Sequence, residues 1–198
     1  MLYSPLIDEL INALRCLPGV GAKSAQRMAV HLLEHNRPGG LRLSQALKEA
    51  LDKVGNCSDC RMLTEQTKCS ICSSSKRNRE ILCIVETPAD MLAIEHAGGY
   101  NGLYFVLMGH LSPIDGINPE DIGVDKLIDR IQQENIKELI LATNATVEGE
   151  ATAYYIMEKA KPFNITLSRI ARGVPLGGEL EYVDGTTLSQ AISGRKRL

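Results

Sequence analysis

The chain has 198 residues, of which 44% are hydrophobic and 23% charged, as expected for a globular protein with one large core or two small ones. Its net charge of −2 excludes a strongly basic protein, and its longest apolar run is too short to cross a membrane. The first residues have no basic stretch like that of a secretory signal. We therefore expect a cytoplasmic protein with no membrane partner.

The charge is distributed unevenly along the chain. Residues 1–80 contain 12 Lys or Arg against 8 Asp or Glu, a balance of +4, whereas residues 81–198 contain 10 against 16, a balance of −6. From Arg15 to Arg42 the sequence contains five basic residues and one acidic residue, Glu34. This patch predicts modest, salt-sensitive binding of a polyanion. Trp is absent and Phe occurs only 2 times, which argues against a stacking platform for single strands.

The first 54 residues have the pattern of three helices. Ser4-Pro5 predicts a helix start, and Leu6, Leu10 and Leu14 form an apolar stripe at helical spacing. A second helix follows Gly21, with Ala25, Met28, Ala29, Leu32 and Leu33 predicted to be buried and with His31 and His35 on its surface. Residues 38–40 (Pro-Gly-Gly) predict a break. A third helix is predicted from Ser44 to Val54, with Leu47, Leu51 and Val54 facing inward.

The turn between the first two helices has the pattern of a helix-hairpin-helix. Gly19 and Gly21 let the backbone approach a phosphate, and the free N–H groups of the next helix point towards the anion. Lys23 and Arg27 add positive charge four residues apart. Such contacts bind DNA without reading its sequence. The alternative is a tight corner between two helices that needs glycine only for its geometry, with both basic residues on a solvated face.

Four cysteines form two C-x-x-C pairs separated by eight residues: Cys57, Cys60, Cys69 and Cys72. Four thiolates at this spacing predict a knuckle around one zinc ion per chain, structural because no coordination position is left open. Burial in a core and disulfide pairing are the alternatives, and the cytoplasmic expectation weakens the second. Cys16 and Cys83 lie among apolar residues, and we expect them to be reduced core residues.

From residue 81 onward, short apolar runs alternate with helical patterns. The predicted strands cover residues 81–85, 103–108, 138–142 and 163–170, with a helix after each of the first three and a long loop at residues 109–123. This alternation predicts parallel βαβ units with functional groups at the carboxyl ends of the strands.

The second half resembles a Toprim domain, the fold of topoisomerases and primases. The family has a glutamate after its first strand, matched by Glu86, and a later Thr-Asp-Pro-Asp-Arg-Glu-Gly-Glu-Ala motif, matched by residues 143–151. Asn144 and Thr146 replace the two aspartates, whereas Glu148 and Glu150 are retained. Because Mg²⁺ prefers carboxylate oxygens, the resemblance implies at most a weak Mg²⁺ site, or an acidic docking surface formed by Glu86, Asn144, Glu148 and Glu150.

The order of these parts over the whole chain resembles the RecR family of bacterial recombination mediators. The resemblance implies an α/β protein with a helix-hairpin-helix region (1–54), a C4 zinc finger (55–75), a Toprim domain (79–174) and a C-terminal tail (175–198) with a Walker B-like strand and a short helix. For the tail, an edge strand with a glycine-rich turn is the stronger alternative. No Walker A motif is present, so ATP hydrolysis is not expected.

The resemblance also implies partners. It indicates a nucleoid-associated mediator that acts with RecO and RecF to load a recombinase on gapped or damaged DNA, or at junctions of single and double strands. It further implies a homodimer or a ring-like tetramer around DNA. Two other hypotheses remain: a Mg²⁺-dependent Toprim nuclease or strand-transfer enzyme that uses Glu86, Glu148 and Glu150, and an interaction module with no DNA contact.

Overall fold

The computed structural model describes residues 3–195 and divides the chain after Val54 into a helical unit and an α/β unit. The helical unit consists of three helices: α1 (Pro5–Leu14), α2 (Ala22–Glu34) and α3 (Arg37–Lys53). The strands of the α/β unit are β1 (Gly55–Asn56), β2 (Leu63–Thr64), β3 (Asn78–Val85), β4 (Gly102–Val106), β5 (Glu138–Leu141) and β6 (Thr166–Arg169). Its helices are α4 (Pro88–Ala97), α5 (Val124–Gln133), α6 (Val147–Ala160) and α7 (Gly185–Ser193).

The third helix begins earlier than its sequence predicts. The prediction of a break at residues 38–40 and a helix from Ser44 was wrong, because α3 already starts at Arg37. The side chain of Asn36 caps it by accepting a hydrogen bond from the Gly39 N–H (3.0 Å). Pro38 lies in the first turn, where a helix needs no N–H donor.

The helical unit buries very few side chains. Of residues 3–54, only Ala25 and Ala29 are buried. The predictions that Met28 lies on the buried face of α2 and that Leu47, Leu51 and Val54 face inward were wrong, because all four are exposed. Cys16, predicted to be a core residue, is also exposed. An apolar stripe identifies the face that seeks a partner, and three short helices leave much of that face uncovered.

The larger sheet is parallel, as predicted, with strand order β4-β3-β5-β6. One face packs against α5 and α6 through Leu127, Ile131 and Ile156, and the other packs near α4 through Met91. The carboxyl half of β3 and all of β4 are buried. Cys83 on β3 is buried, as predicted.

The remaining segments are short. The strands β1 and β2 form an antiparallel ribbon next to the cysteines. The segment after β6 contains one 3-10 turn (Leu180–Tyr182) and α7, so the predicted Walker B-like strand is not formed within the described part of the tail. The predicted fold class, a helical region followed by a cysteine knuckle and a parallel sheet flanked by helices, is confirmed.

Candidate nucleic-acid interface and metal centre

The turn between α1 and α2 presents its two glycines to open space. Gly19 has a φ of +77°, which residues other than glycine rarely adopt. Gly21 has an ordinary extended conformation (φ −81°). A Cβ at either glycine would meet no described atom within 4 Å. Neither glycine is therefore needed to make room for a neighbour in its own unit, and the turn surface is free for another molecule.

The start of α2 leaves backbone donors without a cap. Gly21 precedes the helix and offers no capping side chain, and the first helical hydrogen bond is donated by Ala25 to the Gly21 carbonyl (3.0 Å). The N–H groups of residues 22–24 therefore have no partner within the helix. Such groups, together with the positive end of the helix dipole, favour an anion.

Lys23 and Arg27 lie next to these donors and are both exposed. Neither forms an ion pair with any residue between 3 and 195. Both line an open groove of about 760 Å³ together with Tyr3, Gln26 and His31. His31 and His35 are exposed, as predicted. Two unpaired cations beside an uncapped helix start suit a phosphate backbone.

The four cysteines converge in the α/β unit. Their sulfur atoms all lie within 4.8 Å of one another, and all four side chains are buried. The Sγ atoms of Cys60 and Cys69 are 3.5 Å apart, much farther than the roughly 2.05 Å of a disulfide bond. Four sulfurs around zinc, each about 2.3 Å from the ion, would lie roughly 3.8 Å apart. The residues therefore fit a tetrahedral zinc ion.

The proton balance of the cluster also favours a cation. A hydrogen bond from the Cys72 thiol lowers the pKa of Cys60 to about 6, and the same bond raises the pKa of Cys72. Burial raises the pKa of Cys69. Cys60 can therefore lose its proton readily, whereas Cys69 and Cys72 resist ionisation. Four negative charges cannot share this volume unless a divalent ion compensates them.

The acidic edge lies at the carboxyl ends of β3 and β5, as the parallel sheet requires. Glu86 follows β3 and is only 3% exposed. Its carboxylate accepts hydrogen bonds from the backbone N–H (2.9 Å) and side-chain amide (2.7 Å) of Asn144. The Nδ1 atom of His110 is 3.5 Å from Oε2, the carboxylate oxygen that accepts from the Asn144 side chain. Glu86 and Asn144 are thus brought together, with both carboxylate oxygens engaged.

Glu148 and Glu150 do not join Glu86 in a metal-ligating cluster. Glu150 is exposed and forms ion pairs with Arg169 and Arg172, while Glu148 faces solvent. Within residues 3–195, the four cysteines are the only group of three or more His, Cys, Asp or Glu side chains close enough to share an ion. The three glutamates therefore present separate charges at this edge.

Three comparisons with protein families cover most of the chain. A model described as "RecR, helix-hairpin-helix" matches residues 7–51, a Toprim domain model matches residues 80–171, and a model described as "RecR, C-terminal" matches residues 173–196. A curated "Recombination protein RecR" from Saccharophagus degradans is 60% identical over 197 residues, covering 100% of both chains. The chain belongs to the RecR family. Its role therefore lies in DNA recombination and repair.

Within residues 3–195, no helix has the length and apolar character needed to span a membrane.

Two residues of this RecR-family site were missed by sequence reasoning. A Cβ at Gly149 would lie 2.2 Å from the Asn144 carbonyl oxygen and 2.7 Å from the Glu86 carboxylate, so only glycine fits between them. Arg169 reaches Glu150 and donates to the Thr143 hydroxyl (3.2 Å). Gly149 was visible as part of the Toprim-like motif, but its contact with Glu86 joins residues 63 positions apart. Arg169 ends an edge strand and carried no signal of its own.

Proposed function

We propose that this RecR-family chain binds the phosphate backbone of DNA, without reading its sequence, through Gly19, Gly21, Lys23 and Arg27. The observation that carries the proposal is the pair of exposed cations beside the uncapped N-terminus of α2, neither of which forms an ion pair within residues 3–195. A corner that needed glycine only for its own geometry would require Gly19 but not Gly21, whose φ of −81° suits any residue.

The test is a salt titration of DNA affinity by fluorescence anisotropy. The double variant Lys23→Ala and Arg27→Ala should weaken binding to all sequences alike and flatten the plot of log K against log salt by about 1 per lost phosphate contact. The matched control, Lys48→Ala with Lys53→Ala, removes the same charge from exposed positions of α3. Equal losses of DNA affinity in the two double variants would mean that only net charge matters. Unchanged affinity in the Lys23 and Arg27 variant would reject the site.

We propose a non-enzymatic mediator role, in which the chain acts with RecO and RecF to load a recombinase on gapped or damaged DNA. In this role the acidic edge at Glu86, Asn144, Glu148 and Glu150 docks a basic protein partner. The balance of −6 in residues 81–198 and the solvent-facing carboxylate of Glu148 support a protein partner over DNA at this edge.

Binding to purified RecO tests this assignment. Glu148→Gln should slow association with RecO and leave DNA binding by the chain alone unchanged, because a rim charge acts mainly on the association rate. Glu158→Gln on the same helix is the control, since its carboxylate already pairs with Lys161. Equal association rates for the two variants would contradict docking at this edge.

The same proposal includes a homo-oligomer, a dimer or a ring-like tetramer that clamps DNA. A unit of residues 3–54 with two buried alanines cannot supply its own core, and its exposed Leu41, Leu47 and Leu51 suit a second copy of the chain. Several weak hairpins held together add their affinities through effective concentration. The four-part organisation proposed above (1–54, 55–75, 79–174 and 175–198) gives the hairpin, the knuckle and the acidic edge one part each.

We assign one zinc ion per chain to Cys57, Cys60, Cys69 and Cys72. When bound, zinc supplies charge compensation and cross-linking and no open coordination position. Hydrogen bonds within the knuckle orient the cysteines. The Cys69 N–H donates to the Cys57 sulfur (3.3 Å), and the Cys57 N–H donates to the Met62 carbonyl (2.8 Å). Elemental analysis of the purified chain should find one equivalent of zinc.

The Mg²⁺-dependent nuclease is the weaker alternative. Asn144 occupies both oxygens of Glu86, and two arginines occupy Glu150, so Mg²⁺ would have to displace existing partners. We expect no nicking of supercoiled plasmid in Mg²⁺ or Mn²⁺. Nicking that disappears in Glu86→Ala would replace the mediator proposal with an enzymatic one.

A further inference from the structure

The strand β4 is an edge of the parallel sheet, yet all five of its residues are buried. In a parallel pair, alternate residues turn their N–H and C=O groups towards the neighbouring strand. The Leu107 N–H bonds to Val85 of β3, so the backbone groups of Tyr104 and Val106 point away from the sheet. An apolar edge with such free groups invites pairing with another chain unless something covers it.

The cysteine knuckle covers this edge. The outward N–H of Val106 donates to the carbonyl of Cys60, a zinc-ligating residue, at 2.9 Å. This bond extends the hydrogen-bonding pattern of the sheet by one partner, taken from the loop that the sulfur cluster closes. The covering segment therefore keeps its position only while the loop keeps its shape.

The side chain of Arg130 makes a second connection between the knuckle and the β4 edge. It projects from α5, is 7% exposed, and its Nη1 atom donates both to the outward carbonyl of Tyr104 (2.9 Å) and to the carbonyl of Asp59 (2.9 Å). Asp59 immediately precedes the ligand Cys60. The rest of the guanidinium is held by Glu134 through its Nε atom (3.0 Å) and Nη2 atom (3.3 Å). One buried cation thus bonds the knuckle and the sheet edge at the same time.

Two further arginines join the knuckle to the rest of the α/β unit. Arg61, with a φ of +67°, donates to the carbonyls of Leu107 (2.9 Å) and Ile122. Arg79 donates to the carbonyl of Cys72 (3.0 Å). The carbonyls of Leu107 and Ile122 lie outside the knuckle and that of Cys72 belongs to a ligand, so a displaced knuckle would leave buried donors and acceptors without partners on both sides of the contact.

We infer that Arg130 is a positioning residue that fastens the zinc knuckle to the β4 edge, so that loss of the metal and opening of this edge are a single event. The zinc-loaded chain keeps a closed sheet. The metal-free chain exposes Tyr104 and Val106 as a short apolar edge that pairs with other strands. The inference rests on the proposed zinc site and is independent of DNA binding.

Hydrogen exchange followed by mass spectrometry on the full chain tests this coupling. The metal content is measured first, and the chain is then compared before and after removal of zinc with a chelator. We expect the peptide that covers residues 102–107 to lose protection, while the peptide that covers the central strand β5 keeps it. Chelation of the unmodified chain needs no variant, so this arm is informative even where a variant fails to fold.

Zinc release tests the role of Arg130 directly. With a colorimetric zinc indicator as acceptor, Arg130→Met should release the metal faster than wild type, because substitution of residues that support metal ligands typically lowers metal affinity by roughly 10- to 100-fold. Arg130→Lys keeps the charge but cannot reach both carbonyls and Glu134 together, so it should also release zinc faster. The matched control is Lys126→Met, one turn earlier on an exposed position of α5, and it should release zinc at the wild-type rate.

The outcomes that overturn the inference differ from one another. A chain that holds no zinc removes the metal site itself. If residues 102–107 stay protected from hydrogen exchange after chelation, the closure of the β4 edge does not depend on the metal. Faster exchange throughout the sheet, β5 included, reduces the effect to general unfolding. Wild-type zinc release in both Arg130 variants removes the positioning role.

Discussion

The helical unit and the α/β unit bury their apolar residues to very different degrees. In residues 3–54 only two alanines are buried, whereas in the α/β unit the strand β4 is buried over its whole length and each sheet face carries its own cluster. In the first unit Lys23 and Arg27 form no ion pair within residues 3–195 and several leucines are exposed, whereas in the second Arg77 and Arg130 bond to carboxylates and carbonyls. The helical unit thus has surfaces suited to binding other molecules, whereas the α/β unit is stabilised by its own core.

Removal of one zinc ligand should produce the largest effect and would test whether the α/β unit is as self-contained as its burial indicates. Cys60 is fully buried, so Cys60→Ser should abolish zinc binding and with it a large fraction of the roughly 10–16 kcal/mol that structural zinc contributes in small zinc-finger peptides. Zinc content and thermal unfolding followed by circular dichroism measure this. Cys16→Ser, at an exposed cysteine of the helical unit, is the control.

A Cys60→Ser chain that melts at the temperature of the control would contradict the metal dependence of the α/β unit. A Cys16→Ser chain that melts as early as Cys60→Ser would contradict the contrast between the two units.

The next effect concerns the tight contact beneath the acidic edge. Gly149→Ala would place a Cβ 2.2 Å from a backbone oxygen, which cannot move as a flexible side chain can, so we expect a loss of about 3 kcal/mol in the free energy of unfolding. Urea unfolding measures it. Gly185→Ala, also at the start of a helix but with open space around it, should change stability by less than about 1 kcal/mol. Equal losses at both glycines would reject the close contact.

Much of this contrast follows from the sequence, and the parts that do not follow share a physical reason. The sheet, the knuckle and the position of Glu86 were predicted because alternating strands, paired cysteines and strand ends carry local signals. The errors at Cys16 and Leu51 came from treating apolar neighbourhoods as a core, although an apolar face can also bind another molecule. The start of α3 was placed too late because Pro38 and its glycines were interpreted as a break, although proline is tolerated in the first turn of a helix. The ties of Arg130 and Arg169 join distant positions, which no local pattern encodes.

An internal ion pair of the α/β unit should respond to pH. Arg77 donates to Glu95 and lowers its pKa, and the Tyr104 hydroxyl donates to the same carboxylate (2.6 Å). Because the folded pKa lies below the ordinary value of about 4.3, the stabilisation is present above that pH and is lost as the pH falls through the folded pKa. Glu95→Gln should therefore cost about 2 kcal/mol at pH 7, and the difference from wild type should shrink below about pH 4.

Urea unfolding of both proteins at each pH measures the difference. Acid also releases zinc from both, so only the difference between them is interpreted. The control is Glu80→Gln, whose partner Lys137 is 63% exposed, and it should change stability by less than about 1 kcal/mol at every pH. A difference for Glu95→Gln that stays constant down to pH 3 would exclude ionisation of Glu95 as its cause.

The smallest effect on the stability of a single chain is expected at the exposed leucines of the helical unit. Leu51 is 75% exposed, so Leu51→Ala should change the free energy of unfolding by no more than about 0.5 kcal/mol, whereas Leu139→Ala in the sheet should cost about 2–5 kcal/mol. If a second copy covers Leu51, the same substitution should raise the concentration at which the oligomer dissociates. Analytical ultracentrifugation over a dilution series measures this, with Leu92→Ala, an exposed leucine of the α/β unit, as the control. Unchanged dissociation in Leu51→Ala would mean that this leucine does not contribute to the contact, and the helical unit would then need another partner to cover its apolar face.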